Sequence, residues 1–178
     1  MIDTAQFSVP TRLWLAIVLA AGVVSLGCGP QGPMGVIPGG PLAGDLVAEP
    51  VSDWHFTDDD VTVAVETQGK WFNHSVTTLA VAVGPHLYIP AREGFRKSWV
   101  ANAVRDPRVK IGVDGRIYKG HATRVSDPDE AAEVGKYQLR KYLGMDVEEV
   151  KQLLDPPAPG DDRVDLWLFR IESAGADW

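Results

Sequence analysis

Apolar and polar positions alternate with a period of two over most of the middle of the chain, the signature of half-buried strands. Residues 61–66 (VTVAVE) and 77–83 (TTLAVAV) each read as a strand, and Gly84-Pro85-His86 turns the chain into a third at Leu87, Tyr88 and Ile89. Residues 109–113 lead to Asp114-Gly115, a two-residue hairpin signal, and residues 116–125 alternate as the returning strand. A last apolar run, 165–171 (DLWLFRI), has the composition of a strand that closes the sheet. The period lengthens in three places. Ser98 can cap a helix that places Trp99 and Ala103 on one face and Val100 and Val104 on the next stripe, ending by Asp106 because Pro107 disfavours helical geometry before it. Ser126 or Asp127 can cap a second helix, with Pro128 at its first position, Ala132, Gly135, Leu139 and Tyr142 along one face, and Gly144 as its stop. A third, short helix is expected over 146–154, broken by Pro156-Pro157. Short strands joined by tight turns predict a mainly β, α+β fold: an antiparallel barrel or sandwich in one domain over 49–178.

The first 48 residues follow other rules. Arg12 precedes an apolar run over 13–26 that is short for a membrane span but suits a signal-peptide core. It ends at Ser25-Leu26-Gly27-Cys28, which resembles a bacterial lipoprotein cleavage box, so residues 1–27 are expected to be a signal peptide and Cys28 the lipidated first residue of the mature chain. The alternatives are an uncleaved anchor or an earlier-than-native start at Met1. Cleavage and anchoring both place the domain in the cell envelope, outside the cytoplasm. Residues 28–48 are rich in glycine and proline and read as a tether, with the Val36-Ile37 portion able to pack as coil.

Composition narrows the function classes. At 178 residues, 45% hydrophobic and 23% charged, the chain is globular. A formal net charge of −7 argues against nucleic acid as a partner, which calls for a basic footprint. Cys28 is the one cysteine, so its acylation removes disulfides, a cysteine nucleophile and thiolate metal ligation from consideration. His55, His74, His86 and His121 lack HxH or HExxH spacing, and no metal site is expected. Asp58-Asp59-Asp60 lacks the glycine and distal glutamate of a calcium loop, and Asn73-His74-Ser75 fits a glycosylation sequon by chance.

Against this acidic background the stretch 87–113 is distinctive. Arg92, Arg96 and Lys97 bring three cations around Gly94 immediately before the Ser98 helix. Cations at a helix N-terminus add to free backbone N–H groups and the positive end of the dipole, which suits a phosphate; a solvated basic loop has the same spacing.

The order Leu87-Tyr88-Ile89, a basic loop with Arg96-Lys97-Ser98-Trp99, Asn102, Asp106-Pro107-Arg108-Val109 and Gly120-His121-Ala122 resembles the split β-barrel flavin-binding superfamily. That group includes pyridoxamine-phosphate oxidase-like proteins and deazaflavin-dependent nitroreductases. The similarity covers residues 53–143, with 165–171 resembling a closing strand. It implies a split barrel that binds FMN or a deazaflavin. Arg96, Lys97 and Ser98 would hold the cofactor phosphate with help from Arg92; Trp99 and Asn102 would lie on the following helix, Trp99 also reading as a core anchor. Thr67 and Lys70, at the end of the first barrel strand, would add contacts, and a homodimer with a shared site is implied. No acid–base pair or nucleophile stands out, which is compatible with an oxidoreductase because a flavin-type ring carries its own hydride chemistry. Two functions follow: a cofactor-binding protein that reduces a small electrophile, or a non-catalytic envelope lipoprotein that keeps the barrel as a binding or structural module.

Overall fold

The computed structural model describes residues 32–144 and 166–175. Eight strands are present among them: β1 (Asp45–Leu46), β2 (Val63–Thr67), β3 (His74–Thr78), β4 (Val81–Val83), β5 (His86–Arg92), β6 (Arg108–Val113), β7 (Arg116–Arg124) and β8 (Leu166–Ala174). Helix α1 spans Ser98–Arg105 and α2 spans Pro128–Leu143, and 3-10 turns occupy His55–Thr57 and Gly94–Arg96. The strands form one sheet in the order β3-β2-β6-β7-β8-β5-β4, antiparallel throughout this path, with β1 added in parallel on β7.

The first and last strands of that order, β3 and β4, are consecutive in sequence and joined by Leu79 and Ala80 alone. The three Cα steps from Thr78 to Val81 span about 11 Å at most, so the sheet has to curl until its edges meet. The result is an antiparallel split barrel with two helices among the described residues, a mainly β, α+β single domain. The single strand expected over 77–83 is therefore two, because the pairing partner changes from β2 to β5 at Leu79-Ala80.

Alternation decides what faces inward. Val63 and Val65 of β2, Leu87, Ile89 and Ala91 of β5, Val109, Ile111 and Val113 of β6, Tyr118 and Ala122 of β7, and Phe169 and Ile171 of β8 are buried in one cluster. Trp99, Val100 and Ala103 of α1 enter the same cluster, so α1 packs against the barrel interior. The stripe next to the Trp99–Ala103 face is divided, with Val100 buried and Val104 49% exposed. Tyr88 points the other way and packs with Val81 and with Val134 of α2. Helix α2 has the expected ends: the Asp127 side chain accepts from the Asp129 N–H, Pro128 is its first residue, and Gly144 closes it at φ 62°. Val134 is its one fully buried residue, whereas Ala132 lies on the exposed face.

Two expectations are revised. The segment read as a tether over 28–48 lies on the sheet from Gly39 onward. Gly39 bridges Ser75, the Leu42 N–H donates to Glu66 Oε2 at 2.6 Å, and Asp45–Leu46 pairs with β7. The glycines allow this close approach: Leu42 packs 3.1 Å from where a Cβ on Gly112 would stand. Ser98 does not cap α1, because the cap position belongs to Lys97, which is extended at φ −87° and ψ 124°, and Ser98 is the first helical residue. Asp114 and Gly115 turn the β6–β7 hairpin at φ 47° and 73°. The signal-peptide core, Cys28 and the helix expected over 146–154 lie outside the described residues.

Candidate functional site

Strand β5 delivers the chain to the basic loop. Arg92 ends the strand opposite Leu166, and Glu93 and Gly94 both take left-handed backbone, at φ 69° and 45°, to swing the chain into the 3-10 turn. Glycine adopts that geometry freely, whereas Glu93 holds it at some cost in strain. The turn is closed by the Arg96 N–H donating to the Glu93 carbonyl at 3.0 Å and the Lys97 N–H to the Gly94 carbonyl at 3.2 Å. Phe95 points back onto the barrel and meets Trp167 edge to face, with ring centroids 4.3 Å apart. The loop is thus folded over one end of the barrel and anchored there by an aromatic contact.

This leaves the polar side chains outward. Arg92, Arg96, Lys97 and Ser98 are exposed. Among the described residues, no ion pair is made by Arg92, Arg96 or Lys97. Helix α1 begins without a side-chain cap and without an acidic residue in its first turn. Its first N–H groups are therefore open to a ligand or solvent, and the dipole adds positive potential where the loop already places three cations. Arg124, not singled out in the sequence, joins this end: its guanidinium stacks 3.5 Å from the Trp167 ring centroid. It lies on β7, and only the order β7-β8-β5 brings it beside the loop. The β7–β8 register, once known, is the signal that would have found it.

The remaining expected residues divide into two places. Trp99 is 3% exposed and tilted against Phe169 at 5.4 Å, a core residue. Asn102, on the same helix, is buried and donates from Nδ2 to Thr67 Oγ1 at 3.3 Å, while its Oδ1 accepts from Arg105 at 3.1 Å. Thr67, 1% exposed, passes the chain on by donating to the His74 carbonyl at 3.2 Å. Thr67 and Asn102 are therefore together, one helical turn beyond the loop. Lys70 is not with them. It is exposed on the β2–β3 loop, which Arg105 ties to the C-terminal end of α1 through the Gln68 carbonyl, away from the cations at the helix start. Among the described residues, no group of three or more His, Cys, Asp or Glu side chains is arranged to hold a metal.

As chemistry, guanidinium and ammonium groups, the Ser98 hydroxyl and uncapped N–H groups all lie near the start of one helix, and these are the donor types that a phosphate ester takes.

No protein-family model matches the chain, and no curated protein matches it. Solved structures do. A conserved hypothetical protein from Mycobacterium tuberculosis superposes with a TM-score of 0.52 at 19% identity, over 66% of this chain and 76% of that one. That likeness shows the fold. Similar to a smaller degree are an F420-H2-dependent reductase, at TM-score 0.45 and 17% identity over 64% of this chain and 95% of that one, and a pyridoxamine 5'-phosphate oxidase-related, FMN-binding protein from Nostoc punctiforme, at TM-score 0.41 and 11% identity over 64% and 71%.

Proposed function

We propose that this split barrel binds a phosphate-bearing flavin-type cofactor, FMN or a deazaflavin, with its phosphate on the loop from Arg92 to Ser98, and that it serves in the reduction of a small electrophile. The observation that carries the reading is the uncapped start of α1 beside three exposed cations, none with an ion pair among the described residues. The order of residues from Leu87 to Ala122 that resembles split-barrel flavin proteins adds the cofactor class. Such a ring, when bound, supplies the hydride chemistry itself. The task of this chain is then to hold it: Arg96, Lys97 and the first N–H groups of α1 neutralise the phosphate, and Arg92 and Ser98 add donors. Thr67 and Asn102 fix α1 to β2, so the loop is presented from a rigid helix. The same reading takes the domain to be a homodimer in the cell envelope, anchored through a lipidated Cys28; intact-mass measurement of the N-terminal fragment checks the lipid, and sedimentation checks the dimer.

Titration of the full chain with FMN and with F420, followed by visible absorption and fluorescence, tests the cofactor. Replacing Arg96 and Lys97 together by alanine removes two charge-assisted contacts worth about 1.5–3 kcal/mol each and is expected to weaken binding at least tenfold. Equal binding by wild type and variant would remove the loop from the site. No uptake of either cofactor by the wild type would favour the barrel as a non-catalytic envelope module.

A further inference from the structure

Two large aromatic side chains stand in solvent at the tip of the β2–β3 hairpin: Trp71 is 80% exposed and Phe72 85%. They are not on a loose loop. The Asn73 side chain donates to Glu66 Oε1 at 2.6 Å, and Arg105 holds the Gln68 carbonyl, so both arms are fixed. The turn is tight enough that a Cβ on Gly69 would stand 2.0 Å from the Phe72 carbonyl oxygen. Lys70 sits beside them, its Nζ 5.5 Å from the Trp71 ring centroid. Large apolar groups held outward by an ordered turn mark a contact surface. Adjacent aromatic and lysine side chains are what the boundary between water and acyl chains favours.

A second observation selects the occupant. The chain leading from the apolar run 13–26 and Cys28 docks on this same hairpin. Gly39 and Ser75 exchange both backbone hydrogen bonds at 2.9 Å, and Ser75 Oγ donates to the Gly40 carbonyl at 2.6 Å. Ser75 lies three residues from Phe72, about 10 Å along a strand. Only residues 29–38 separate Cys28 from this contact, and within them Met34 and Ile37 exchange backbone hydrogen bonds at 3.0 and 3.1 Å, which keeps the reach below about 35 Å, that of ten fully extended residues. A lipid-embedded N-terminus therefore holds the β2–β3 tip close to the bilayer surface.

We infer that Trp71 and Phe72 insert into the interfacial layer of the membrane that carries the N-terminus, with Lys70 at the headgroups, so that the barrel is held by two points and in one orientation. The inference rests on the envelope-anchored reading of the N-terminus and not on cofactor binding.

The test uses the full chain bound to vesicles of phosphatidylcholine and phosphatidylglycerol, with and without bromine on the upper acyl chains. Trp54, Trp99 and Trp167 are buried, and subtracting the emission of Trp71→Phe from that of wild type isolates Trp71. The expected result is a Trp71 component that is blue-shifted and quenched by the brominated lipid, with Phe72→Trp adding a second quenchable component. A component quenched by aqueous iodide and not by bromolipid would overturn the insertion while leaving the anchor. Protection from both quenchers would assign the tip to a protein contact, and failure of the chain to sediment with vesicles would remove the anchor itself.

Discussion

At the scale of single residues, Glu66 shows what alternation can and cannot convey. In VTVAVE it follows Val63 and Val65, which face the core, and so falls on the outer face of β2. That much is legible. Its burial to 2% exposure is not, because the segment that covers it arrives from Leu42, and the cation that neutralises it, Lys110, arrives from β6 at 2.8 Å. A carboxylate in such a place is tolerated only with its partners present. Lys110→Met is expected to cost about 3 kcal/mol, the lower end for breaking a buried pair, since Lys110 keeps some contact with water. Urea denaturation reads it as a lower midpoint with unchanged slope. The basic loop was legible as residues, for Arg92, Arg96 and Lys97 fall within six consecutive positions. Arg124 was not, since nothing local distinguishes it from any exposed arginine at a strand end.

At the scale of elements, β7 and β8 meet more closely than side chains allow. Gly120 pairs with Ser173, and a Cβ there would stand 2.8 Å from the Glu172 carbonyl oxygen and 2.9 Å from Ile171 Cγ2. Backbone cannot yield as a flexible side chain does. Gly120→Ala is expected to destabilise by about 2 kcal/mol through overpacking, measured as a fall in thermal midpoint. On the opposite face, α2 is clamped to β5 and β8 by one acidic residue: Glu130 Oε1 accepts from Tyr88 Oη and from Arg170 Nη1, both at 2.9 Å. Burial, aided by the Glu130 carboxylate, pushes the Tyr88 hydroxyl up to about 12 from 10.0. The folded value lies above the unfolded one, so this stabilisation is complete below pH 10.0 and is lost as pH rises toward about 12. Tyr88→Phe is therefore expected to cost about 1.5 kcal/mol at neutral pH. The gap from wild type should close in alkaline denaturation series. The ends of α2 were readable from Asp127, Pro128 and Gly144, but its clamp joins residues forty apart and had no local sign.

At the scale of the whole molecule, the barrel depends on a seam. The sheet closes where β3 passes into β4 at Leu79 and Ala80, and neither neighbouring ladder holds that joint. Helix α2 does. Tyr142 Oη accepts from the Ala80 N–H at 2.8 Å and donates to the Ala80 carbonyl, while Lys141 Nζ donates to the same carbonyl at 3.0 Å and to that of Thr57 at 2.7 Å. Burial lowers the Lys141 ammonium below the ordinary lysine value and raises the Tyr142 hydroxyl above its own, so both groups have left bulk water to make these bonds. The apolar run 77–83 disclosed that a strand crosses here; it could not disclose a change of partner, because both partners lie elsewhere in sequence. Tyr142→Phe leaves the buried Ala80 N–H without an acceptor, at a cost of about 1–3 kcal/mol. If the helix holds the seam, the loss is local: amide exchange should quicken at Ala80 and along β3 and β4, while β6 and β7, in the middle of the ladder, keep their protection. Uniform acceleration across all strands would instead mean that the edges of the barrel open only with the whole fold.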